Sequence, residues 1–116
     1  MYLELHIEQG PLLSAEHCPA AVVTGIRGNL RFKNIVARGE AGHSGAVPRA
    51  YRHDPVMATA KLLTAMDAHW AQAIETDDDL VMTTGMIGTD ADSHGMARIP
   101  DEGRFSFEVR SQWQST

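Results

Sequence analysis

The stretch RFSFEVR, residues 104–110, decides the fold, because apolar and polar residues alternate strictly along it. Phe105, Phe107 and Val109 are apolar, and the residues between them are charged or polar. Successive side chains of a strand point to opposite faces of its sheet. The alternation therefore predicts a strand with one buried face and one face open to solvent.

A long amphipathic helix is predicted upstream of this strand. Asp54 can cap the first turn, and Pro55 suits the first helical position. The helix is expected to end near Ile74. Apolar residues recur along it at three- and four-residue spacing and make one face, which is expected to cover the sheet. They are Val56, Ala60, Leu63, Met66, Trp70 and Ala73.

Further strands are expected at residues 2–7, 22–27, 32–38 and 80–87, and a turn of helix at 12–18. Gly28-Asn29 is expected to turn residues 22–27 back onto 32–38 as a hairpin. Hairpins around one long helix predict an α+β fold, a two-layer sandwich with an antiparallel four-stranded sheet and a helix on one face. One helix hardly covers four strands, so a second covering helix is expected to be missing.

The composition restricts the class of partner. The 116 residues fit one core, and the formal net charge is -5, which argues against binding nucleic acid. No apolar run approaches the ~20 residues needed to span a bilayer, so no membrane partner is expected. Cys18 is the only cysteine, which excludes an internal disulfide and favours a reducing, cytoplasmic compartment.

The loop GEAGHSGAVP, residues 39–48, contains three glycines, one proline and one histidine. Glycines at this density let the backbone turn sharply or let another group approach it closely. His43 therefore has two interpretations. It is either an exposed bystander in a strand-to-helix connection or a side chain presented to a polar ligand.

Several motifs together resemble one family, the dinuclear-metal amidohydrolases. These are ELHIEQGP at 4–11, VTGI at 23–26, GHSGAVP at 42–48 with RHD at 52–54, and the strand at 104–111. The family includes N-carbamoyl-L-amino-acid hydrolases, allantoate amidohydrolases and beta-ureidopropionases, and it is related to the zinc peptidases. The string HIEQG is typical of the carbamoyl and ureido branch.

The resemblance implies that residues 1–20 end a metal-binding catalytic domain and that 21–116 form a ferredoxin-like lid domain, which also makes a homodimer. It implies a parent hydrolase that cleaves linear amide C–N bonds of a small carbamoyl or ureido substrate. Such a parent uses two divalent ions, zinc, manganese or cobalt. The fragment alone is expected to be inactive and to bind none of them.

The resemblance also assigns roles to four residues. His6 would bind one of the two metal ions. His43 would reach a substrate oxygen, often across the dimer, and stabilise developing negative charge. Asn29, where relatives often carry glutamine, would bind the substrate as well. Arg110 would pair with the substrate carboxylate, because a guanidinium fork matches two oxygens.

Two alternatives stay open. A stand-alone dimerisation or binding module with the lid fold and no catalysis would leave HIEQG without a purpose. Asp90, Asp92 and His94 faintly match a calcium-binding loop, although strands rather than helices are predicted beside them.

Overall fold

The structure is a computed structural model that describes residues 2–112. It contains six strands and two α-helices in this part of the chain. In chain order they are α1 (Leu12–Ala15), β1 (Gly28–Arg38), β2 (Gly42–His43), α2 (Pro55–Glu75), β3 (Val81–Thr83), β4 (Ile87–Thr89), β5 (Arg98–Ile99) and β6 (Glu102–Ser111).

The main sheet is antiparallel and has β6 at its centre. β1 pairs with one side of β6, while β3 and β4 follow one another along its other side. β2 and β5 form a separate two-stranded ribbon. The strand predicted at residues 104–110 is thus confirmed, and so is the two-layer architecture with one main helix against a four-stranded antiparallel sheet.

The core lies between α2 and the apolar face of β6. Phe105 is 3% exposed and Phe107 is 6% exposed, as their alternation predicted. The helix begins at Pro55 with Asp54 as its N-cap, also as predicted. The expected apolar face is wrong in its first turns, however. Pro55 and Thr59 are buried there, whereas Val56 and Ala60 are exposed.

Pro55 and Thr59 are buried in place of Val56 and Ala60 for a local reason. A methyl group on Gly103 of β6 would lie 3.8 Å from Pro55 Cβ, so the helix start rests directly on the sheet. Thr59 tolerates burial because its hydroxyl donates to the Pro55 carbonyl oxygen at 2.8 Å. Propensity patterns alone rank valine above threonine for the core and miss this internal hydrogen bond.

The strand predicted at residues 80–87 is divided into β3 and β4. At the break, the Ser106 backbone N–H donates to the Met86 carbonyl oxygen at 2.9 Å. The Met86 N–H donates to the Ser106 hydroxyl at 3.0 Å. A side-chain oxygen therefore replaces one backbone acceptor, and the regular ladder stops there.

The strands predicted at residues 2–7 and 22–27 are wrong, since neither range is a strand. Gly28-Asn29 is not a turn, because both residues lie in β1 and pair with β6. A strand needs a partner for its backbone groups. Residues 32–38 take theirs from β6, about 70 residues away in the chain, and this leaves no hairpin for residues 22–27.

The predicted helical turn at residues 12–18 is a shorter one, Leu12–Ala15. Glu8 accepts the N–H groups that open it, at 3.0 Å from Leu12 N and at 3.0 and 3.2 Å from Leu13 N. Residues 2–12 and 14–27 are exposed throughout. The Cα radius of gyration is 19.9 Å, against ~13 Å for a compact domain of this length. The amino-terminal segment therefore projects from the sandwich.

Arg27 joins this projecting segment to the sandwich. Its guanidinium lies 2.5 Å from Asp79 Oδ1, in the loop after α2.

None of the helices in residues 2–112 has the length and apolar character that crossing a bilayer requires.

Candidate functional site

The glycine-rich loop leaves the sheet at the end of β1 and carries His43 in the β2–β5 ribbon. The Gly39 N–H donates to the Asp101 carbonyl oxygen at 2.7 Å, directly beyond the last β1–β6 pair. Gly42 and His43 then pair with Ile99 and Arg98. His43 is exposed, so its side chain is open to a ligand from outside the sandwich.

The loop selects one tautomer of the neutral His43 ring. The Gly45 backbone N–H donates to His43 Nδ1 at 3.2 Å. A nitrogen that accepts this bond carries no proton, so the proton of the neutral ring sits on Nε2. An exposed imidazole with Nε2–H is a hydrogen-bond donor, which suits contact with a substrate oxygen.

Arg52 holds the rest of the loop in place. Its Nε donates to the Val47 carbonyl oxygen at 2.8 Å, and its Nη2 donates to the Ser44 carbonyl oxygen. One half-buried guanidinium thus ties together both sides of the turn that follows His43. Sequence reasoning quoted Arg52 only as part of a motif and did not find this role. Hydrogen bonds from an arginine side chain to backbone carbonyl groups cannot be predicted from the spacing of residue types.

Asn29 and Arg110 form a second polar cluster. They are directly opposite each other in the β1–β6 ladder, so their side chains share a face of the sheet. It is the face opposite Phe105 and Phe107, as predicted for Arg110. The structure therefore brings together two of the residues expected to bind substrate.

Glu108 and Arg31 complete this cluster, and sequence reasoning missed both roles. Glu108 Oε1 accepts from Arg110 Nε at 2.6 Å and lies 3.2 Å from Arg31 Nε. The hydrogen bond from Arg110 is the largest cause that holds the pKa of Glu108 below its usual range. Burial opposes it, and the hydrogen bond from Arg31 adds a smaller lowering effect. Glu108 is therefore an ionised carboxylate between two cations.

The two clusters lie at opposite ends of the sheet. The loop with His43 departs beside Glu102, the first residue of β6, and Arg110 is next to its last residue. At ~3.4 Å per residue, the strand between Glu102 and Arg110 is ~27 Å long. Because the His43 ribbon joins the sheet at the Glu102 end of β6, we expect His43 and Arg110 of the same chain to be too far apart to contact one small substrate.

His6 lies on the exposed amino-terminal segment, where its Nδ1 is 2.6 Å from the Ile7 carbonyl oxygen. Within residues 2–112, no group of three or more histidine, cysteine, aspartate or glutamate side chains is arranged to hold a metal ion. The residues described here do not form a metal site around His6. A complete site needs ligands from another segment.

The loop with Asp90, Asp92 and His94 makes local contacts instead of converging on a common point. Asp90 Oδ1 accepts from the Asp92 N–H at 3.2 Å, and His94 Nε2 lies 2.8 Å from Thr89 Oγ1. Asp90 acts as the cap of a 3-10 turn, Ala91–Ser93. Nothing in this arrangement favours a calcium loop.

Comparisons with known proteins identify the kind of chain that carries these clusters. No family model matches it. An N-carbamoyl-L-amino-acid amidohydrolase of Pseudomonas sp. (strain NS671) is 34% identical over 110 residues, 94% of this chain and 25% of that protein. Allantoate deiminase 1 of Glycine max is 32% identical over 125 residues, 95% of this chain and 25% of that protein.

A solved structure gives the same result for the fold. A hydantoinase/carbamoylase family amidase from Burkholderia ambifaria superposes with a TM-score of 0.80 at 25% identity, over 95% of this chain and 25% of that one. The chain spans about a quarter of the length of the relatives it matches.

The chain is thus homologous to one domain-sized segment of amidohydrolases. Within that class it resembles the carbamoylase and allantoate branch, which confirms the family that the motifs predicted.

Proposed function

We propose that the chain is the lid and dimerisation segment of a metal-dependent hydrolase that cleaves linear carbamoyl or ureido C–N bonds. The observation that carries this proposal is the pairing of Asn29 with Arg110 on an exposed sheet face. It occurs in a chain whose relatives are named for carbamoyl amino acids and for allantoate. On this proposal, the segment binds substrate, and the bond-breaking groups lie elsewhere in the full-length enzyme.

Arg110 recognises the substrate carboxylate. A guanidinium has five N–H donors in a planar fork, and the contact with Glu108 uses only the one on Nε. The terminal nitrogens can therefore face both oxygens of a carboxylate. Asn29, on the same face, offers an amide that donates or accepts a further hydrogen bond. The two residues fix the acid end of the substrate and its orientation.

His43 stabilises charge at the other end of the substrate. The Gly45 hydrogen bond leaves Nε2–H as the donor, and an oxygen that gains negative charge in the transition state is the matching acceptor. Arg110 and His43 of one chain are expected to be too far apart to share a substrate. We therefore propose that His43 of one subunit completes the site to which its dimer partner contributes Asn29 and Arg110.

The metal ions belong to the full-length enzyme in this proposal. His6 would hold one of two divalent ions together with residues that lie in other segments. When bound, such ions polarise the scissile carbonyl and activate a water. The contacts that hold the His43 ring and the Arg110 side chain come from Gly45 and Glu108 of this chain.

The test is a kinetic comparison of two variants of the full-length enzyme on one N-carbamoyl amino acid. Arg110→Ala should raise KM and leave kcat nearly unchanged, because the carboxylate contact exists before the transition state as well. His43→Ala should lower kcat by ~10²–10³, because the lost donor acts on charge that develops during the reaction.

Matched controls are available on the same elements. Arg104→Ala removes an arginine from the same face of β6, one that contacts Glu102 at 2.5 Å as Arg110 contacts Glu108. His69→Ala removes an exposed histidine of α2. Both controls should keep native kinetics. An Arg110→Ala enzyme with the native KM, or a His43→Ala enzyme with the native kcat, would contradict the proposed role.

A further inference from the structure

We propose that Glu108 is a positioning residue, which fixes the Arg110 side chain for its carboxylate ligand while Arg31 offsets the charge of Glu108. The inference rests on the proposed function of Arg110 and extends it by two residues that no motif assigned.

The geometry places Glu108 behind the guanidinium. Glu108 and Arg110 are two residues apart on one strand, so they share the exposed face of the sheet. The 2.6 Å bond uses Arg110 Nε, the nitrogen nearest the strand. This anchor immobilises the inner part of a long side chain that otherwise samples many rotamers. The terminal nitrogens are then directed outward before a ligand arrives.

Arg31 explains how an anion can support an anion-binding site. A carboxylate next to Arg110 would repel the carboxylate of a substrate. Arg31 is directly opposite Glu108 in the ladder and lies 3.2 Å from the same oxygen, Oε1. Two arginines around one glutamate leave the cluster with a net positive charge, so attraction for an anion remains.

A glutamate between two arginines also occurs at the other end of the same sheet face, around Glu102. Comparing the two clusters shows how the one around Glu108 differs. Glu102 lies between Arg38, at 3.5 Å, and Arg104, at 2.5 Å. The ladder partner of Arg104 is Val36, whereas that of Arg110 is Asn29. Of these two clusters, the one around Glu108 is the one whose arginine has an asparagine directly opposite it in the ladder. Glu102 supplies a matched control with the same chemistry about 20 Å along the strand.

The experiment measures KM and kcat of the full-length enzyme on an N-carbamoyl amino acid. Glu108→Ala should raise KM on the order of tenfold, the effect of losing a hydrogen bond to a charged group. Its kcat should stay close to native, because the contact that Glu108 supports is made before the transition state as well. Glu108→Gln keeps an acceptor oxygen at the same reach, so it should restore most of the native KM.

The direction of the change separates positioning from simple charge balance. If Glu108 only reduced the positive charge of the face, both variants would lower KM, and that result would overturn the inference. Glu102→Ala should leave both constants within about twofold of native. Melting temperatures of all variants should stay close to native, because exposed ion pairs contribute little to stability.

A double variant distinguishes this inference from the function on which it rests. If Glu108 acts through Arg110, then Arg110→Ala with Glu108→Ala should have the same KM as Arg110→Ala alone. A native KM for Arg110→Ala would overturn the proposed function and the inference together. A raised KM for Arg110→Ala with a native KM for Glu108→Ala would overturn the positioning role alone.

Discussion

Gly39 is the residue that sets the junction between the sheet and the loop with His43. A Cβ at this position would lie 1.9 Å from the His53 carbonyl oxygen and 2.7 Å from Pro55 Cδ. One neighbour is a backbone atom just before α2 and the other is a ring atom of its first residue, so neither can move without distorting the backbone. We expect Gly39→Ala to reduce the free energy of unfolding by roughly 2–3 kcal/mol, as overpacked sites do.

Urea denaturation of the chain measures this effect. Gly88→Ala is the control, because a Cβ at Gly88 meets nothing within 4 Å. Its unfolding free energy should change by no more than about 0.5 kcal/mol. Equal losses in the two variants would show that the junction at Gly39 tolerates a side chain.

The glycines of the loop with His43 act in one of the two ways that their density predicted. Both sharp turning and close approach were predicted, and no glycine among residues 2–112 has a positive φ. Gly39 and Gly42 instead allow close approach, and a Cβ on Gly42 would lie 2.9 Å from Val47 Cγ2. Such contacts depend on where distant residues fold, so composition cannot distinguish them from turn geometry.

At the scale of elements, α2 depends on Asp54 for its first turn. Asp54 Oδ1 accepts the N–H groups of Val56 at 3.0 Å and Met57 at 3.2 Å. Asp54→Ala leaves both donors without this acceptor and should cost about 1 kcal/mol of unfolding free energy. Asp67→Ala, an exposed site within the same helix, should cost less than half as much. The comparison fails if the two variants melt alike.

The elements that sequence predicted well are those that depend on neighbours in the chain. The start of α2 needs only Asp54 and Pro55, and β6 shows its alternation within seven residues. The register of β1 is different, because it is fixed by pairing Asn29 with Arg110 across the sheet. No local pattern contains that pairing. The cluster of Asn29, Arg31, Glu108 and Arg110 was therefore visible only as two separate residues, Asn29 and Arg110.

At the scale of the whole molecule, Arg27 and Asp79 tie the projecting segment to the sandwich. The hydrogen bond from Arg27 is the main cause that holds the pKa of Asp79 below its usual range. A carboxyl with a lowered folded-state pKa stabilises the fold above its unfolded pKa of ~3.9. That contribution is lost as the pH falls through the folded-state value.

Asp79→Asn should therefore be less stable than the native chain at pH 7, and the difference should shrink as the pH falls below ~4. Urea denaturation over a series of pH values measures it. Asp77→Asn changes the same charge two residues away and serves as the control. A difference that stays constant down to the lowest pH would contradict the role of the ion pair.

Self-association is the second expectation at this scale. Leu30 and Phe32 of β1 lie on the face that α2 covers elsewhere, yet they are 59% and 47% exposed. Exposed apolar sheet surface beside an edge strand favours pairing with another chain. Sedimentation at micromolar concentration should report a dimer.

Leu30→Asp should shift that equilibrium towards the monomer. Met96→Asp places the same charge on an exposed residue of the loop before β5 and should leave the equilibrium unchanged. A native chain that sediments as a monomer across this range would contradict the prediction and show that this fold does not dimerise by itself.

The break between β3 and β4 has a consequence for how many chains can join. A sheet with two continuous edges can accept a neighbour on each side and grow without limit. Here the edge formed by β3 and β4 is interrupted where Met86 donates to the Ser106 hydroxyl. On the other side β1 runs for eleven residues, with one register shift between Phe32 and Ile35. When two chains pair through β1, that one contact covers the open β1 edge of both chains. If chains pair through β1, the break beside Ser106 would favour a closed pair over an open filament.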